Sequence, residues 1–85
     1  MTGTPIRVLI AEDHELVRAG FISLIQVIPD MEVVAAVANG RQALAAIEEH
    51  LPDVVLMDIT MPELNGLNAV GQIASVFPQV RVIML

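Results

Sequence analysis

The 85-residue sequence has no cysteine, no lysine, no tryptophan and no tyrosine, and its only aromatics are two phenylalanines. Without cysteine there is no disulfide framework and no thiolate metal site. Without lysine the positive side chains are Arg7, Arg18, Arg41 and Arg81, against ten acids, for a net charge of −6. An acidic chain repels phosphate backbones, so direct contact with nucleic acid by these residues is not expected. No apolar stretch approaches the roughly 18 residues that a membrane helix needs. The opening Met1-Thr-Gly-Thr-Pro-Ile-Arg7 lacks the layout of a signal peptide or anchor, which points to a soluble, cytoplasmic setting.

Hydrophobic residues make up 55% of the chain. Ordinary soluble domains are about 45–50% apolar even with glycine counted. A chain of this length buries only about 60–65% of its unfolded surface. The excess predicts either a piece of something larger or a surface that packs against another copy.

The apolar pattern alternates between short runs and helical spacing. Ile6–Ile10, Val33–Val37, Val54–Met57 and Val80–Leu85 are compact runs suited to strands. Leu16, Gly20, Leu24 and Ile28, flanked by Val17, Phe21 and Ile25, recur every four residues and predict a first helix, with Asp13 at its N-cap position. Asn39-Gly40 reads as a turn. A second helix spans Arg41–His50, burying Ala43, Leu44 and Ile47, and Pro52-Asp53 ends it. A third carries Leu67, Val70, Ile73, Ala74 and Phe77, and Pro78 stops it. The order βαβαβαβ, with near-continuous apolar strands, predicts an α/β doubly wound parallel sheet covered on both faces. One domain, 1–85, accounts for the chain. The fourth run stops at Leu85 without a turn or cap, and an apolar edge strand of that kind predicts truncation of a longer domain.

In open α/β sheets ligands sit at the carboxyl ends of strands. Glu12 and Asp13 follow the first strand, and Asp58 ends the third. If those strands adjoin, three carboxylates converge, and a hard, oxygen-preferring cation such as Mg²⁺ relieves their repulsion. An Asp beside such an ion can act as a nucleophile toward a phosphoryl group. Plainer readings stand beside this one. An acid pair after a strand is often only a helix cap, and a lone Asp at a strand end is often structural. His14 and His50 are read as features of helix ends, not as ligands. No Ser-His-Asp set and no P-loop is present in the sequence.

Asp58-Ile-Thr-Met-Pro-Glu-Leu-Asn-Gly66 resembles the D-x-x-M-P-x-x-[DN]-G signature of CheY-like response-regulator receiver domains, and Leu9-Ile-Ala-Glu-Asp-His14 resembles their first-strand acid pair. Leu16–Gly20, Val33–Gly40 and Pro52–Asp58 resemble the NarL/FixJ (LuxR-type) subclass. The resemblance implies a flavodoxin-like sheet of order 2-1-3-4 lacking the last α-β-α. It implies Asp58 as the phosphoacceptor, and an Mg²⁺ site formed by Asp13, Glu12 through water, Asp58 and the Thr60 backbone carbonyl, with Pro62 and Gly66 shaping the loop. It implies a sensor histidine kinase as donor and a C-terminal DNA-binding domain in the intact protein, with phosphorylation controlling dimerisation. The family's switch Ser/Thr and its Lys have no counterpart in these residues. That departure predicts impaired phosphorylation chemistry, and a second reading follows from it: a catalytically idle segment that self-associates through uncovered sheet, as a dimer or higher oligomer.

Overall fold

The computed structural model describes residues 4–58 and 66–84. Its elements run β1 (Ile6–Ala11), α1 (Glu15–Gln26), β2 (Met31–Val37), α2 (Gly40–His50), β3 (Val54–Met57), α3 (Gly66–Val76) and β4 (Arg81–Met84). All strand pairs are parallel, and the sheet order is β2-β1-β3-β4. This is the expected α/β architecture and strand order.

Side chains alternate across a strand, and β1 uses both faces. Val8 and Ile10 join Ile25, Phe21 and Ile22 of α1 on one side. Leu9 and Ala11 join Val55, Met57, Ala43, Ala46, Ile47, Ile73 and Val80 on the other, under α2 and α3. Both faces of β1 are thus dry, which is why its sequence shows no polar alternation. Between Val8 and Leu9 the register with β2 shifts by one residue, so Val8 pairs with Val33 and Leu9 with Ala35. Such a bulge increases the local twist.

Hydrogen bonds clamp the strand ends away from the acids. The Arg7 N–H donates to Asp53 Oδ2 at 2.9 Å, and the Asp53 N–H donates to Arg7 O at 2.8 Å. The Arg7 guanidinium donates to the carbonyls of His50 at 2.6 Å and Leu51 at 3.2 Å. A cation there meets the negative end of the α2 dipole. Leu51 closes α2 in the left-handed region at φ 47°, with its N–H on Ile47 O.

Three local expectations change. Asn39-Gly40 is not a free turn: Asn39 caps α2, its Oδ1 accepting the Gln42 N–H at 2.8 Å, while Gln42 Oε1 accepts the Ala38 N–H at 2.9 Å. Turn and N-cap share the same short polar residues, so sequence alone does not separate them. Asp13 is not the cap of α1. His14 holds that position, without a side-chain cap bond, and the Glu12 carboxylate accepts the His14 N–H instead. The Leu16/Gly20/Leu24/Ile28 stripe is not the buried one: Leu16 is 87% exposed and Leu24 63%. The helix instead seats Phe21, Ile22 and Ile25 on the sheet. A helix that is apolar on most sides offers more than one stripe at helical spacing, and pattern alone does not choose between them. In α3, Ile73 is buried and Phe77, just after the helix, is half-buried, while Ala74 is exposed. Leu67, Val70 and Leu85 lie outside the described side chains.

Large-to-small changes should separate the two kinds of apolar residue. Ile47→Ala, at a fully buried position, is expected to lower stability by about 2–5 kcal/mol. Leu16→Ala is expected to change it by no more than about 0.5 kcal/mol. Urea denaturation followed by circular dichroism measures both; equal effects would contradict the packing described.

Candidate functional site

The site is made by extending the strand ladder beyond its ends. The Glu12 N–H donates to Val37 O at 3.0 Å, and the Asp58 N–H donates to Ala11 O at 3.0 Å. These two bonds carry the residues after β1 alongside β2 and β3, so the acid pair and Asp58 come side by side at the carboxyl end of the sheet. Glu12, Asp13, His14 and Asp58 each offer a ligand atom, and these atoms all lie within 4.8 Å of one another.

The members differ in setting. The Glu12 side chain is only 5% exposed, that of Asp13 is partly exposed, and His14 stands 69% exposed at the rim. Asp58 is half-buried. Glu12 is held from several directions. Its Oε2 accepts both the His14 N–H and the His14 ring Nδ1–H, each at 3.0 Å. A carboxylate can only accept, so the ring proton sits on Nδ1. Its backbone carbonyl accepts the Arg18 guanidinium at 2.8 Å, which ties the β1–α1 loop to the helix behind it. Asp13 Oδ1 lies 3.3 Å from His14 Nδ1, yet it is shut off from solvent and makes no hydrogen bond among the described residues. A shielded carboxylate oxygen is costly without an opposing charge, and the His14 ring is the group set against it.

The His14 imidazole is pulled above its ordinary pKa of 6.5, chiefly by its hydrogen bond to Glu12, then by the charge of Asp13, with smaller contributions from Glu12 and Asp58. Desolvation opposes the shift without cancelling it. A pKa raised on folding means that the protonated ring stabilises the fold. That contribution is complete below pH 6.5 and is lost as pH rises through the folded-state value.

Sequence reading placed Glu12, Asp13 and Asp58 together, and the structure brings all three into one cluster. Thr60 and Pro62 lie outside the described residues. His14 was read as a helix-end feature, but it joins the acids. The available signal was its place directly after the acid pair, where a loop entering a helix folds back on the preceding carboxylate.

The response regulator receiver domain model matches residues 8–85. The chain belongs to the receiver domain family. This receiver chain is 42% identical over 80 residues to the response regulator protein VraR of Staphylococcus aureus, a match covering 94% of the chain but 38% of VraR. The signal receiver domain of the putative response regulator NarL from Mycobacterium tuberculosis superimposes with a TM-score of 0.92 at 32% identity, over 96% of this chain and 66% of that one. A LuxR-family DNA-binding response regulator from Staphylococcus aureus gives 0.87 at 35% identity, over 93% and 66%. The receiver sheet at hand therefore spans well under half of the curated relative and about two thirds of the solved domains. No helix among its described residues is long and apolar enough to cross a membrane.

The geometry makes the His14 titration a direct check. In metal-free protein the His14 ring signals should titrate above pH 6.5 by NMR, and Glu12→Gln should bring the midpoint back down toward that value. A His14 midpoint at or below 6.5 would contradict the Glu12 contact.

Proposed function

We propose that Asp58 accepts a phosphoryl group from the phosphohistidine of a sensor histidine kinase, at an Mg²⁺ site formed by Asp13, Asp58, the Thr60 carbonyl and, through water, Glu12. In the intact protein, the phosphorylated receiver would control a DNA-binding output domain, and the setting would be cytoplasmic. The single observation that carries the reading is the convergence of Glu12, Asp13 and Asp58 at the carboxyl ends of β1 and β3 in a chain of this family. The shielded, unbonded Asp13 Oδ1 supports a cation among them.

The residues have separate tasks. An Asp58 carboxylate oxygen forms the new O–P bond as the N–P bond of the donor breaks, and the departing imidazole keeps the electron pair and takes up a proton. The product is an acyl phosphate, and the receiver acts as an acceptor in a relay. When bound, Mg²⁺ offsets charge on the transferring oxygens. Glu12 is too buried to meet a donor directly, so its task is to hold the loop and the ion's water shell. Arg18 fixes the carbonyl of Glu12 and so keeps the acid pair facing β3.

Incubation with Mg²⁺ and acetyl phosphate should give labelling that requires the metal and disappears in Asp58→Asn. Label that persists in Asp58→Asn would overturn the assignment.

A second reading is favoured by one observation. Among the described residues β4 pairs only with β3, and Ile83 is half-exposed on that edge. On this reading the chain self-associates along β4 and its phosphoryl chemistry is idle. Sedimentation at micromolar concentration distinguishes the two: a folded monomer removes the second reading.

A further inference from the structure

The junction of β2 and α2 carries a reaction in its own backbone. In Asn39-Gly40 the glycine nitrogen can attack the asparagine side chain, because glycine sets no Cβ in the way. The Gly40 nitrogen bonds to Asn39 Cγ, the amide Cγ–N bond breaks, and ammonia departs with the proton of the attacking nitrogen. Water then opens the five-membered ring that results. Opening at Cγ gives an ordinary aspartate. Opening at the main-chain carbonyl gives an isoaspartate, whose chain runs through Cγ. Water is the only co-reactant.

The folded chain opposes the first step. Ring closure needs the Gly40 nitrogen to eclipse Asn39 Cβ, and Asn39 at φ −154° and ψ 170° turns it well away. The amide under attack is pinned, its Oδ1 accepting the Gln42 N–H at 2.8 Å. The Asn39 main-chain carbonyl accepts the Ala43 N–H at 3.0 Å, and Gln42 Oε1 accepts the Ala38 N–H at 2.9 Å. Gly40 is buried at the start of α2. These ties all lie within one helical turn, and both side-chain bonds are exposed. Local ties of that kind open at lower cost than the whole fold.

We infer that Asn39 is a latent site of spontaneous cyclisation that reacts when the first turn of α2 opens, and that isoaspartate at this position latches the turn open. The latch follows from the connectivity of the product. In isoaspartate the carbonyl that held the Ala43 N–H becomes a carboxylate off the chain. The group that held the Gln42 N–H becomes part of a backbone lengthened by one methylene. Both capping acceptors are displaced. The aspartate product keeps both, and Asp caps a helix as well as Asn does. Buried Ala43, Ala46 and Ile47 follow directly in α2, so the lost turn adjoins the core.

The test is a time course on the whole chain at mildly alkaline pH, folded and in concentrated urea, read by mass spectrometry. Cleavage after arginine places Asn39 in the peptide 19–41 and Asn65, of a second Asn-Gly pair, in 42–81. In urea the two asparagines should convert within about threefold of each other, since both precede glycine. In the folded chain Asn39 should convert about tenfold or more slowly than in urea. Gln42→Ala removes the tie to Ala38 and should speed the folded reaction about threefold or more, leaving the urea rate unchanged. In the purified isoaspartyl fraction the Gln42 and Ala43 amides should exchange with deuterium about tenfold faster or more than in the unmodified chain. Asn39→Asp should stay within about threefold of the unmodified chain. Equal rates for folded and unfolded chain would overturn the inference, as would an Asn39 that stays intact in urea. A folded rate unmoved by Gln42→Ala, or an isoaspartyl fraction with unchanged exchange, would also sink it.

Discussion

The hydrogen bond from the Asp58 N–H to Ala11 O is the contact on which the site depends. It is one rung beyond the last residue pair of β1 and β3, where Ala11 sits opposite Met57. Because side chains alternate with a period of two, a slip of one residue in that pairing would send Asp58 to the other face and separate it from the acid pair. The register is protected by burial. Val8, Leu9, Ile10 and Ala11 are all fully buried, and each has a neighbour of fitting size in the observed pairing. The placing of the acids at the sheet end is thus guarded by aliphatic residues that are not among them.

Much of this was legible from residue patterns. The βαβαβαβ order follows from short apolar runs alternating with helical spacing, and the parallel sheet follows from strands without polar alternation. The carboxylates could be placed because the positions after strands are read directly from the sequence. What the pattern could not supply was orientation. Helix α1 carries apolar residues on most of its sides, and its exposed leucines look the same in sequence as the half-buried Phe21 and the buried Ile25. Nor could it supply the fold-back of a loop: Glu12 reaching His14 instead of capping through Asp13 is a matter of a few torsion angles. The Asn39 cap was misread for a related reason, since a short polar residue before glycine satisfies a turn and a helix start equally well.

The acid cluster shows how a fold of thin margins accommodates unfavourable charge. Glu12 is almost wholly enclosed, a position that carboxylates occupy only with partners. Its partners here are local: the backbone and ring of His14 for its carboxylate, and Arg18 for its carbonyl. Asp13, one residue on, makes no hydrogen bond through its shielded Oδ1 among the described residues and faces only the His14 ring at 3.3 Å. The contrast divides the acid pair into a member that holds the loop and a member with charge to offer.

The opposite end of the sheet gives that division a wider meaning. There the guanidinium of Arg7 closes the last carbonyls of α2, and Asp53 binds both the Arg7 N–H and, through its own carbonyl, the Arg81 N–H. The Arg7 guanidinium and the Asp53 carboxylate are both spent on the protein itself. A β-sheet tied down at one pole, with an acid cluster gathered at the other, behaves like a plug with a fixed base. A change of side chain in the loops at the acid end leaves untouched the ties that keep the strands in step at the other.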